Sequence, residues 1–404
     1  MKWEKVKLED VCEITSSKRI FYSEYVDDGV PFYRSKEIIE SDEGKVIENP
    51  LYISVDKYNE IKEKFGVPQT GDMLLTSVGT IGIPYIIKKN DCFYFKDGNL
   101  TWFRDFREGL NSKYLYYWIK SSEGTGILYN TTIGSSQKAL TISALKNIKV
   151  SLPPRSVQDK IVEVVSAYND LIENNQKQIK LLEEAAQRLY KEWFVDLHFP
   201  GHENTKIVDG VPEGWSKSTV FEVSAILRRG ISPKYNENAR GIVINQKCIR
   251  QMIVSYDEAR TQEKKYPAEL ELKEADIAIC STGAGTLGRV GQIYEVRENT
   301  TLDSHVTLIR ANEKIGQQYL FWSLKMQQDY LMSAGKGSTN QLELSRETIG
   351  SCGILIPERK IAEQVEKNFV AIHNKMKECS MQIARLREAR DLLLPKLMSG
   401  EVEV

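Results

Sequence analysis

The residues of this sequence with the clearest chemistry are basic and amide side chains in polar segments between apolar ones. Arginine and lysine can hydrogen-bond to guanine edges in the major groove of DNA, and asparagine and glutamine to adenine edges. The sequence predicts DNA contacts at Lys18, Arg19, Arg34, Ser35, Lys36, Ser77, Ser135, Gln137, Lys138, Arg228, Arg229, Asn245, Gln246, Lys247, Arg250, Lys336, Asn340 and Gln341. For any single residue a solvated loop is the favoured role. For the whole set, at matching places in two halves of the chain, DNA contacts and solvated loops are evenly matched.

A glycine-rich segment, Gly283-Ala284-Gly285-Thr286-Leu287-Gly288, has the GxGxxG spacing that can hold a dinucleotide phosphate. The matching segment of the first half keeps only Gly79 and Gly82, and Arg289 to Val296 has the pattern of a strand. Both observations favour a structural turn. A nucleotide-binding enzyme that uses this segment remains the weaker alternative.

Other catalytic or metal-binding patterns are missing from the sequence. The four histidines, His198, His202, His305 and His373, have no cysteine or carboxylate at ligand spacing. The six cysteines form no CxxC pair, which argues against a zinc site and fits a reducing, cytoplasmic environment. There is no GxSxG, HExxH or P-loop motif. We therefore expect a non-catalytic chain that binds no metal and no cofactor.

Composition limits the class of protein further. The chain has 404 residues, 41% hydrophobic and 27% charged, with a net charge of −1, as in ordinary globular proteins of two or three domains. A nucleic-acid site must then be a local basic face that is balanced by acidic residues elsewhere. No apolar run reaches the ~18 residues of a membrane span, so no membrane partner is expected.

Two long helices are predicted to position these segments. From Ile161 onwards, apolar residues recur in alternating steps of four and three, as in a coiled coil. The series is Ile161, Val165, Tyr168, Ile172, Asn175, Ile179, Leu182, Ala186, Leu189 and Trp193. Ser156 and Asp159 are expected to cap its start. At ~1.5 Å per residue the helix spans roughly 50 Å, so it needs a partner helix.

The partner is a second copy of the same series, 204 residues further on. It contains Val365, Phe369, Ile372, Met376, Ile383, Leu386, Leu393 and Leu397. Cys379 takes the place of Asn175, and Arg390 interrupts the series. For Asn175 itself, a polar seam residue that fixes register is favoured over an exposed turn. Pro395 is expected to kink or end this helix.

The globular segments that precede the two helices repeat as well. Strands are predicted at Val30–Tyr33, 72–76, 83–87 and 148–152, and a helix at 114–120. Asp72 matches Asp276, and Arg34-Ser35-Lys36 matches Asn245-Gln246-Lys247. The polar loop residues differ between the copies, as in Ser135-Ser136-Gln137-Lys138 against Thr339-Asn340-Gln341-Leu342. One scaffold thus carries two different surfaces.

The predicted fold class is α+β, with two similar mixed α/β domains, two long antiparallel coiled-coil helices and a pseudo-twofold internal repeat. The boundaries are residues 1–152 for the first domain, 153–199 for the central helix, 200–214 for a linker, 215–356 for the second domain and 357–404 for the C-terminal helix.

Several motifs resemble the specificity (S) subunits of type I restriction-modification enzymes. They are Glu192-Trp193-Phe194-Val195-Asp196, Val211-Pro212-Glu213-Gly214-Trp215, Gly79-Thr80-Ile81-Gly82, Lys396-Leu397-Met398-Ser399-Gly400-Glu401 and the opening of the first helix, Leu152-Pro153-Pro154-Arg155-Ser156-Val157-Gln158. The second helix opens with Ile356-Pro357-Glu358 and lacks the second proline. The resemblance covers essentially the whole chain.

The resemblance implies two target-recognition domains that each bind half of a split site in double-stranded DNA. It implies that the helices dock two methylation (M) subunits, which carry S-adenosylmethionine, and that a restriction (R) subunit can join for ATP-driven cleavage. The helix positions assigned to subunit docking are Ile161, Ile172, Asn175, Ile179, Leu182, Leu189, Trp193, Val365, Phe369, Ile372, Met376, Ile383, Leu386 and Leu393. The alternative is a coiled-coil scaffold whose globular ends bind proteins.

Geometry agrees with a split target. A helix of ~50 Å corresponds to about 15 base pairs at 3.4 Å each. That length suits two short half-sites with an unread gap. Since the two domains differ in their polar loops, the half-sites are expected to be unrelated in sequence rather than palindromic.

Overall fold

A computed structural model describes residues 3–44, 47–134, 138–283, 285–337 and 342–404. The chain divides into two compact units. Unit 1 comprises Met1–Glu173 and Ala384–Val404, and unit 2 comprises Asn174–Ile383. Each unit therefore combines one globular part with one end of each long helix. The sequence predicts a finer division into five segments. The two units do not test those boundaries, which stay a prediction.

The first half of the chain alternates short strands and helices before the first long helix. In chain order it contains β1 (Glu4–Lys7), β2 (Glu13–Thr15), β3 (Tyr25–Val26), β4 (Val30–Tyr33), α1 (Ser35–Asp42), β5 (Leu51–Ile53), α2 (Val55–Phe65), β6 (Met73–Thr76), β7 (Pro84–Ile86), β8 (Tyr94–Phe95), β9 (Leu100–Arg104), α3 (Ser112–Lys120), α4 (Ser122–Thr131), α5 (Ile142–Lys146), β10 (Lys149–Leu152) and α6 (Arg155–Tyr190). A π-helical turn, Lys191–Val195, extends α6. Short 3-10 helices occupy Leu8–Asp10 and Tyr22–Glu24.

The second half repeats this order with shorter insertions. It contains β11 (Ile207–Val208), β12 (Val211–Pro212), β13 (Ser216–Thr219), α7 (Val220–Val223), β14 (Ser224–Arg229), β15 (Gly241–Ile244), β16 (Arg260–Gln262), β17 (Ile277–Cys280), β18 (Val290–Gln292), β19 (Thr300–Leu302), β20 (Val306–Ala311), α8 (Gln317–Met326), α9 (Gln328–Ser333), α10 (Arg346–Gly350), β21 (Gly353–Ile356) and α11 (Arg359–Ser399). Short 3-10 helices occupy His202–Asn204, Gln246–Cys248 and Ala268–Leu270. Within the described residues, no helix is both long and apolar enough to cross a bilayer.

The sheets of the two units have the same topology. In unit 1 an antiparallel sheet has the strand order β2-β9-β6-β7, and in unit 2 the corresponding order is β14-β20-β17-β18. A second sheet contains one parallel pair in each unit, β4 with β8 and β15 with β19. A two-stranded antiparallel ladder, β1-β10 or β13-β21, leads into each long helix. The predicted α+β fold with an internal repeat is confirmed.

Individual hydrogen bonds repeat together with the topology. The Ser77 and Thr101 hydroxyls lie 2.7 Å apart in unit 1, and those of Ser281 and Thr307 lie 2.6 Å apart in unit 2. The Tyr114 hydroxyl donates to a backbone carbonyl of β10, and the Tyr319 hydroxyl does the same to β21. These buried polar groups are therefore part of the shared framework.

One framework acid has different partners in the two units. The Asp72 carboxylate accepts a hydrogen bond of 2.9 Å from the Trp102 indole, and burial raises the pKa of Asp72. The Asp276 carboxylate is instead bound by both arms of Arg310, at 2.6 and 2.7 Å. The same position thus holds an acid against a neutral donor in one unit and against a guanidinium in the other.

The long helices pack antiparallel within each unit. In unit 1, Ile161 and Val165, near the start of α6, share a hydrophobic core with Leu397 and Met398, near the end of α11. In unit 2 the opposite ends meet, since Ala186 lies in the same core as Val365, Phe369 and Met376. Polar contacts follow the same direction: Arg390 donates to Asn169 at 2.8 Å, and the Cys379 thiol to Gln178 at 3.6 Å.

The expected cap of the first long helix is wrong. The helix begins at Arg155, one residue before Ser156, and the Pro154 carbonyl accepts from the backbone of Val157. The Asp159 carboxylate does not close a capping box, because it is bound by Arg155 at 2.8 Å and by Asn111 at 2.6 Å. The double proline is therefore the signal for the start of this helix.

The expected end of the helix at Pro395 is also wrong, whereas the expected kink there stays a prediction. Helix α11 continues through Pro395 to Ser399. A proline so near the end removes a single backbone hydrogen bond, whereas the turn that follows it buries Leu397 and Met398 to 1% and 2% exposure. Burial of these two side chains outweighs the lost bond.

Candidate nucleic-acid interface

The turn 96–99 brings three of the predicted loops of unit 1 together. Its first amide donates to the carbonyl of Tyr33, at the end of β4. The carbonyl of Asn99 accepts from the amide of Ser77, at the end of β6. Asp97 binds Arg19 at 2.9 Å, in the segment after β2. We call residues 16–19, 34–36, 77–82, 96–99 and 138–140 the loop end of unit 1.

Segment 303–306 does the same in unit 2. The amide of Asp303 donates to the carbonyl of Ile244 at the end of β15, and the His305 carbonyl accepts from Ser281 after β17. The Val306 carbonyl accepts from the residue that follows β14. We call residues 229–231, 245–247, 281–283, 285–288, 303–306, 336–337 and 342–344 the loop end of unit 2. The structure thus brings most of the predicted DNA-binding segments together at one end of each unit.

The glycine-rich segment of unit 2 is a tight turn of this loop end. Gly283 and Gly288 have φ angles of +102° and +75°, a region that residues with a Cβ rarely adopt. A Cβ on Gly288 would lie 2.4 Å from the backbone nitrogen of Met332, so the turn packs directly on α9. Strand β18 follows the turn, not a helix whose N-terminus could bind a pyrophosphate. Ala284 lies outside the described residues.

Most of the predicted cations already have acidic partners. The ion pairs are Arg19–Asp97, Arg34–Glu37, Lys36–Glu40, Arg228–Glu269, Arg229–Glu343 and Arg250–Glu258. Hydrogen bonds to Arg34 hold the pKa of the Glu37 carboxyl below its usual range, although burial opposes them. Surface ion pairs contribute roughly 0–1 kcal/mol, so exchanging an exposed carboxylate for a phosphate costs little. The Arg34 pair differs, because the Glu37 side chain is only 2% exposed.

Four predicted lysines have no such acidic partner. The Lys18 ammonium lies 4.4 Å from the centre of the Phe65 ring, and that of Lys138 lies 3.6 Å from the Tyr129 ring. Lys247 and Lys336 are exposed at the loop end of unit 2. Within the described part of the chain, none of the four is in an ion pair, so they are the cations most accessible to a polyanion.

Two predicted contacts are framework residues instead. Ser77 is 1% exposed, and its hydroxyl is bound to the Leu75 carbonyl and the Thr101 hydroxyl. The Asn245 side chain accepts from the backbone of Lys247 at 2.8 Å and donates to that of Glu258 at 2.7 Å. Neither side chain presents a free hydrogen-bonding group to a base edge. The Ser35 hydroxyl is also buried.

Gln246 remains the amide best placed for base contact in unit 2. Its side-chain nitrogen would lie 3.8 Å from a Cβ atom placed on Gly283, so the amide is beside the glycine turn. Four other predicted residues, Ser135, Gln137, Asn340 and Gln341, lie outside the described residues. The prediction of DNA contacts therefore stands for some loop-end positions and is corrected for Ser77 and Asn245.

The helix positions assigned to docking face the inside of their own chain. Those that are buried are Ile161, Ile172, Asn175, Trp193, Val365, Phe369, Met376 and Ile383, and those that are partly buried are Ile179, Leu182, Leu189, Ile372, Leu386 and Leu393. The buried ones have little surface left for another subunit, and docking through the partly buried ones stays a prediction. The exposed apolar side chains of the same helices include Leu181, Met381 and Leu392, at 63%, 44% and 64% exposure.

The sequence analysis missed His305 as a loop-end residue. Its ring nitrogen Nδ1 lies 2.6 Å from the Thr282 hydroxyl, beside the glycine turn. A lone histidine between two strands carries no local signal, and only the meeting of β17 with β20 places it there. Among the described residues, no group of histidine, cysteine, aspartate and glutamate side chains could hold a metal ion.

Comparison with known proteins finds a matching family model and relatives along the chain. Residues 1–184 match the family model of the type I restriction modification DNA specificity domain. The chain is 27% identical over its whole length to the type I restriction enzyme MjaIX specificity subunit of Methanocaldococcus jannaschii, of which it covers 94%. It is 23% identical to the HindI specificity subunit of Haemophilus influenzae, over 65% of this chain and 71% of that protein.

A solved structure has the same fold. The type I restriction-modification S subunit from M. genitalium is 16% identical and superposes with a TM-score of 0.59, over 98% of this chain and 96% of that chain. In this chain two α/β units share a framework and carry unlike loop ends. Residues 1–184 match the DNA specificity domain of type I restriction-modification systems, and the whole chain is similar to the specificity subunits that its motifs resemble.

Proposed function

We propose that each unit of this specificity subunit binds one part of a split duplex target through its loop end. Four observations support the proposal: a common framework, loop residues that differ between units, exposed lysines and an amide beside a rigid turn. The observation that carries it is the equivalent position of residues 34–36 and 245–247. Both segments follow an inner strand of the second sheet, β4 or β15, yet one reads Arg-Ser-Lys and the other Asn-Gln-Lys.

We further propose that the chain itself is not a catalyst. Its histidines have structural partners: His373 is 4% exposed between Gln292 and Tyr294, and His305 is bound to Thr282. The glycine turn is packed against a helix instead of opening onto one. Methyl transfer from S-adenosylmethionine would then be carried out by partner methyltransferase subunits, and this chain would select the DNA sequence that they methylate.

The exposed sides of the long helices are the proposed docking surface for two such subunits. Leu181 and Met381 on unit 2, and Leu392 on unit 1, present apolar surface opposite the buried seam. A restriction subunit would join the same assembly, and the whole complex would act on chromosomal DNA in the cytoplasm. The rival function, a scaffold whose globular ends bind proteins, predicts no sequence-dependent DNA binding by this complex.

Mapping DNA methylation across a genome tests the proposal. Cells would express this chain with its methyltransferase subunit, and a parallel strain would carry a chimera with residues 1–152 taken from a different specificity subunit. The expected result is a two-part motif, of which the chimera changes one half and keeps the other. A chimera that alters both halves together contradicts independent reading by the two units.

Two controls separate the rivals. In the first control, the complex assembles but no sequence motif in the DNA becomes methylated. That outcome favours the scaffold. Calorimetry of the full chain with dinucleotides and with S-adenosylmethionine addresses the enzyme alternative. We expect no heat of binding, whereas saturable binding that Gly283→Ala abolishes would support a nucleotide site in the glycine turn.

A further inference from the structure

Unit 2 contains a small pocket with a concentration of positive charge. The pocket has a volume of about 170 Å³ and is lined by Arg250, Gln251, Arg289, Val290, Lys325, Gln328 and Met332. Three of these seven residues are cations, and two more are amides that can donate hydrogen bonds. Arginine and lysine donors that converge on a concave site are the usual means of binding phosphate groups.

Two of the three pocket cations are in long ion pairs. The carboxylate of Glu183 lies 4.0 Å from the Lys325 ammonium, and that of Glu258 lies 3.7 Å from Arg250. Within the described part of the chain, Arg289 is in no ion pair. Burial lowers the pKa of Lys325, against the opposing effect of Glu183 and Asp329, so a bound anion would stabilise its charged form.

The same place in unit 1 is built differently. Lys120 is the last residue of α3, and Lys325 lies at the matching place, one residue before the end of α8. The Lys120 ammonium, however, is bound by Asp42 at 2.8 Å and by the Tyr116 hydroxyl at 2.9 Å. Phe321, the counterpart of Tyr116, has no hydroxyl. The first residue after the glycine turn is Ile83 in unit 1, where unit 2 has an arginine. The charge of the pocket is therefore specific to unit 2.

The pocket adjoins the loop end of unit 2 through two segments. Arg289 directly follows the glycine turn, and its carbonyl accepts from the amide of Cys280 at the end of β17. The Arg250 guanidinium donates to the carbonyl of Lys247 at 3.3 Å, within the segment that holds Gln246. A group bound in the pocket would thus lie next to the residues proposed to contact bases.

We propose that Arg250, Arg289 and Lys325 form a phosphate-binding pocket that holds one backbone phosphate of the duplex bound by unit 2. The proposal rests on the proposed function of the loop ends. A contact of this kind fixes the position of the duplex without reading its sequence. It would orient the half-site for Gln246 in unit 2, while unit 1 relies on other contacts.

The test measures DNA affinity as a function of salt for the full chain in complex with its methyltransferase subunits. Arg289→Gln and Lys325→Met each remove one cation of the pocket. Loss of a phosphate contact should reduce the slope of log affinity against log salt by about 0.9. Affinity should fall roughly tenfold, and equally, for the recognised duplex and for a random one.

A matched control is Lys314→Gln, which removes one exposed lysine of unit 2 beyond the opposite end of β20. Its slope and affinity should equal those of the wild type. Wild-type slopes for both pocket variants, with thermal unfolding unchanged, would overturn the pocket. Equal affinity of the wild-type complex for the recognised and the random duplex would instead overturn the function of the loop ends. The two failures are therefore distinguishable.

A second arm asks whether the ligand is free phosphate instead of DNA. Phosphorus NMR of the complex with inorganic phosphate, without DNA, should show no binding at millimolar concentration. Binding of inorganic phosphate that Arg289→Gln abolishes, combined with an unchanged DNA salt slope, would reassign the pocket to a free anion and refute the role in DNA binding.

Discussion

Gln246 and Lys247 are neighbours with different expected roles. Gln246 lies beside the rigid glycine turn, where its amide can make two hydrogen bonds to an adenine edge. Lys247 is exposed and carries a mobile point charge, which suits a phosphate. The two residues therefore allow a base contact and a phosphate contact to be compared within one loop.

We expect Gln246→Ala to cost about 1–3 kcal/mol of discrimination between the recognised half-site and a single-base variant of it. Lys247→Ala should weaken both duplexes equally and lower the salt slope by about 0.9. Competition binding with the two duplexes at several salt concentrations measures both effects. Equal weakening by Gln246→Ala on random DNA would demote that residue to a phosphate contact.

His373 makes the stability of unit 2 depend on pH. The ring stacks on Tyr294 at 4.2 Å, Gln292 lies 3.0 Å from Nδ1, and Glu274 lies 3.6 Å from Nε2. Burial lowers the pKa of His373, and Lys377 adds to this effect, while Glu274 opposes it. As pH falls below the ordinary histidine value, the unfolded chain takes up a proton before the folded one does.

The free energy of unfolding should therefore decrease as pH falls from 7.5 through 6.5 and below. His373→Gln should flatten this decrease, since glutamine has no proton to gain. Urea unfolding at a series of pH values measures it, with His202→Gln, at a 35% exposed side chain, as the control. A pH dependence that His373→Gln leaves unaltered would assign the effect to other groups.

At the scale of elements, periodicity in the sequence predicted the long helices and their seam, because burial of one helix face imposes a spacing that needs no tertiary information. The helix cap was predicted wrongly, since Asp159 is bound by Asn111, 48 residues away. The end of α11 and the burial of Ser77 against Thr101 also depend on contacts between segments that are distant in the sequence. Loop positions were predicted well because they follow strands, but the direction of each side chain was not.

Met376 provides a test of the seam. It is 0% exposed in the core of unit 2, and its sulfur lies 3.8 Å from the Tyr294 hydroxyl. Met376→Ala should lower the free energy of unfolding by about 2–5 kcal/mol, because it leaves a cavity. Met381→Ala, on the same helix at 44% exposure, should cost no more than about 0.5 kcal/mol.

Denaturant unfolding of both methionine variants measures these losses. Equal losses would mean that the two positions are packed alike, contrary to the structure. Loss of methyltransferase binding by Met381→Ala alone, with stability retained, would support the proposed docking surface on the exposed side of the helix.

At the scale of the whole molecule, duplication explains why one chain suffices for a split target. Symmetric dimers bind palindromes because both subunits carry the same loops. Here the framework is repeated while the loops have diverged, as Arg34 against Asn245 and Ile83 against Arg289 illustrate. The two units can therefore evolve separate preferences without losing the common packing against the helices.

Insertion of one heptad into both long helices tests the spacer. Seven residues preserve the seam and add about 10 Å, which corresponds to about three base pairs. We expect the gap in the methylated motif to lengthen accordingly while both half-sites stay the same. Replacement of seven exposed residues at constant length is the control. An unchanged gap in the insertion variant would refute the spacer role.

The composition of unit 1 has a consequence for biosynthesis. Its core includes Leu397 and Met398 together with Ile161 and Val165, so the first unit to leave the ribosome is completed by residues translated after all of unit 2. Until the end of α11 has been translated, the apolar face of α6 in unit 1 stays exposed to solvent. Nascent chains should thus depend on chaperones longest at the unit that was translated first.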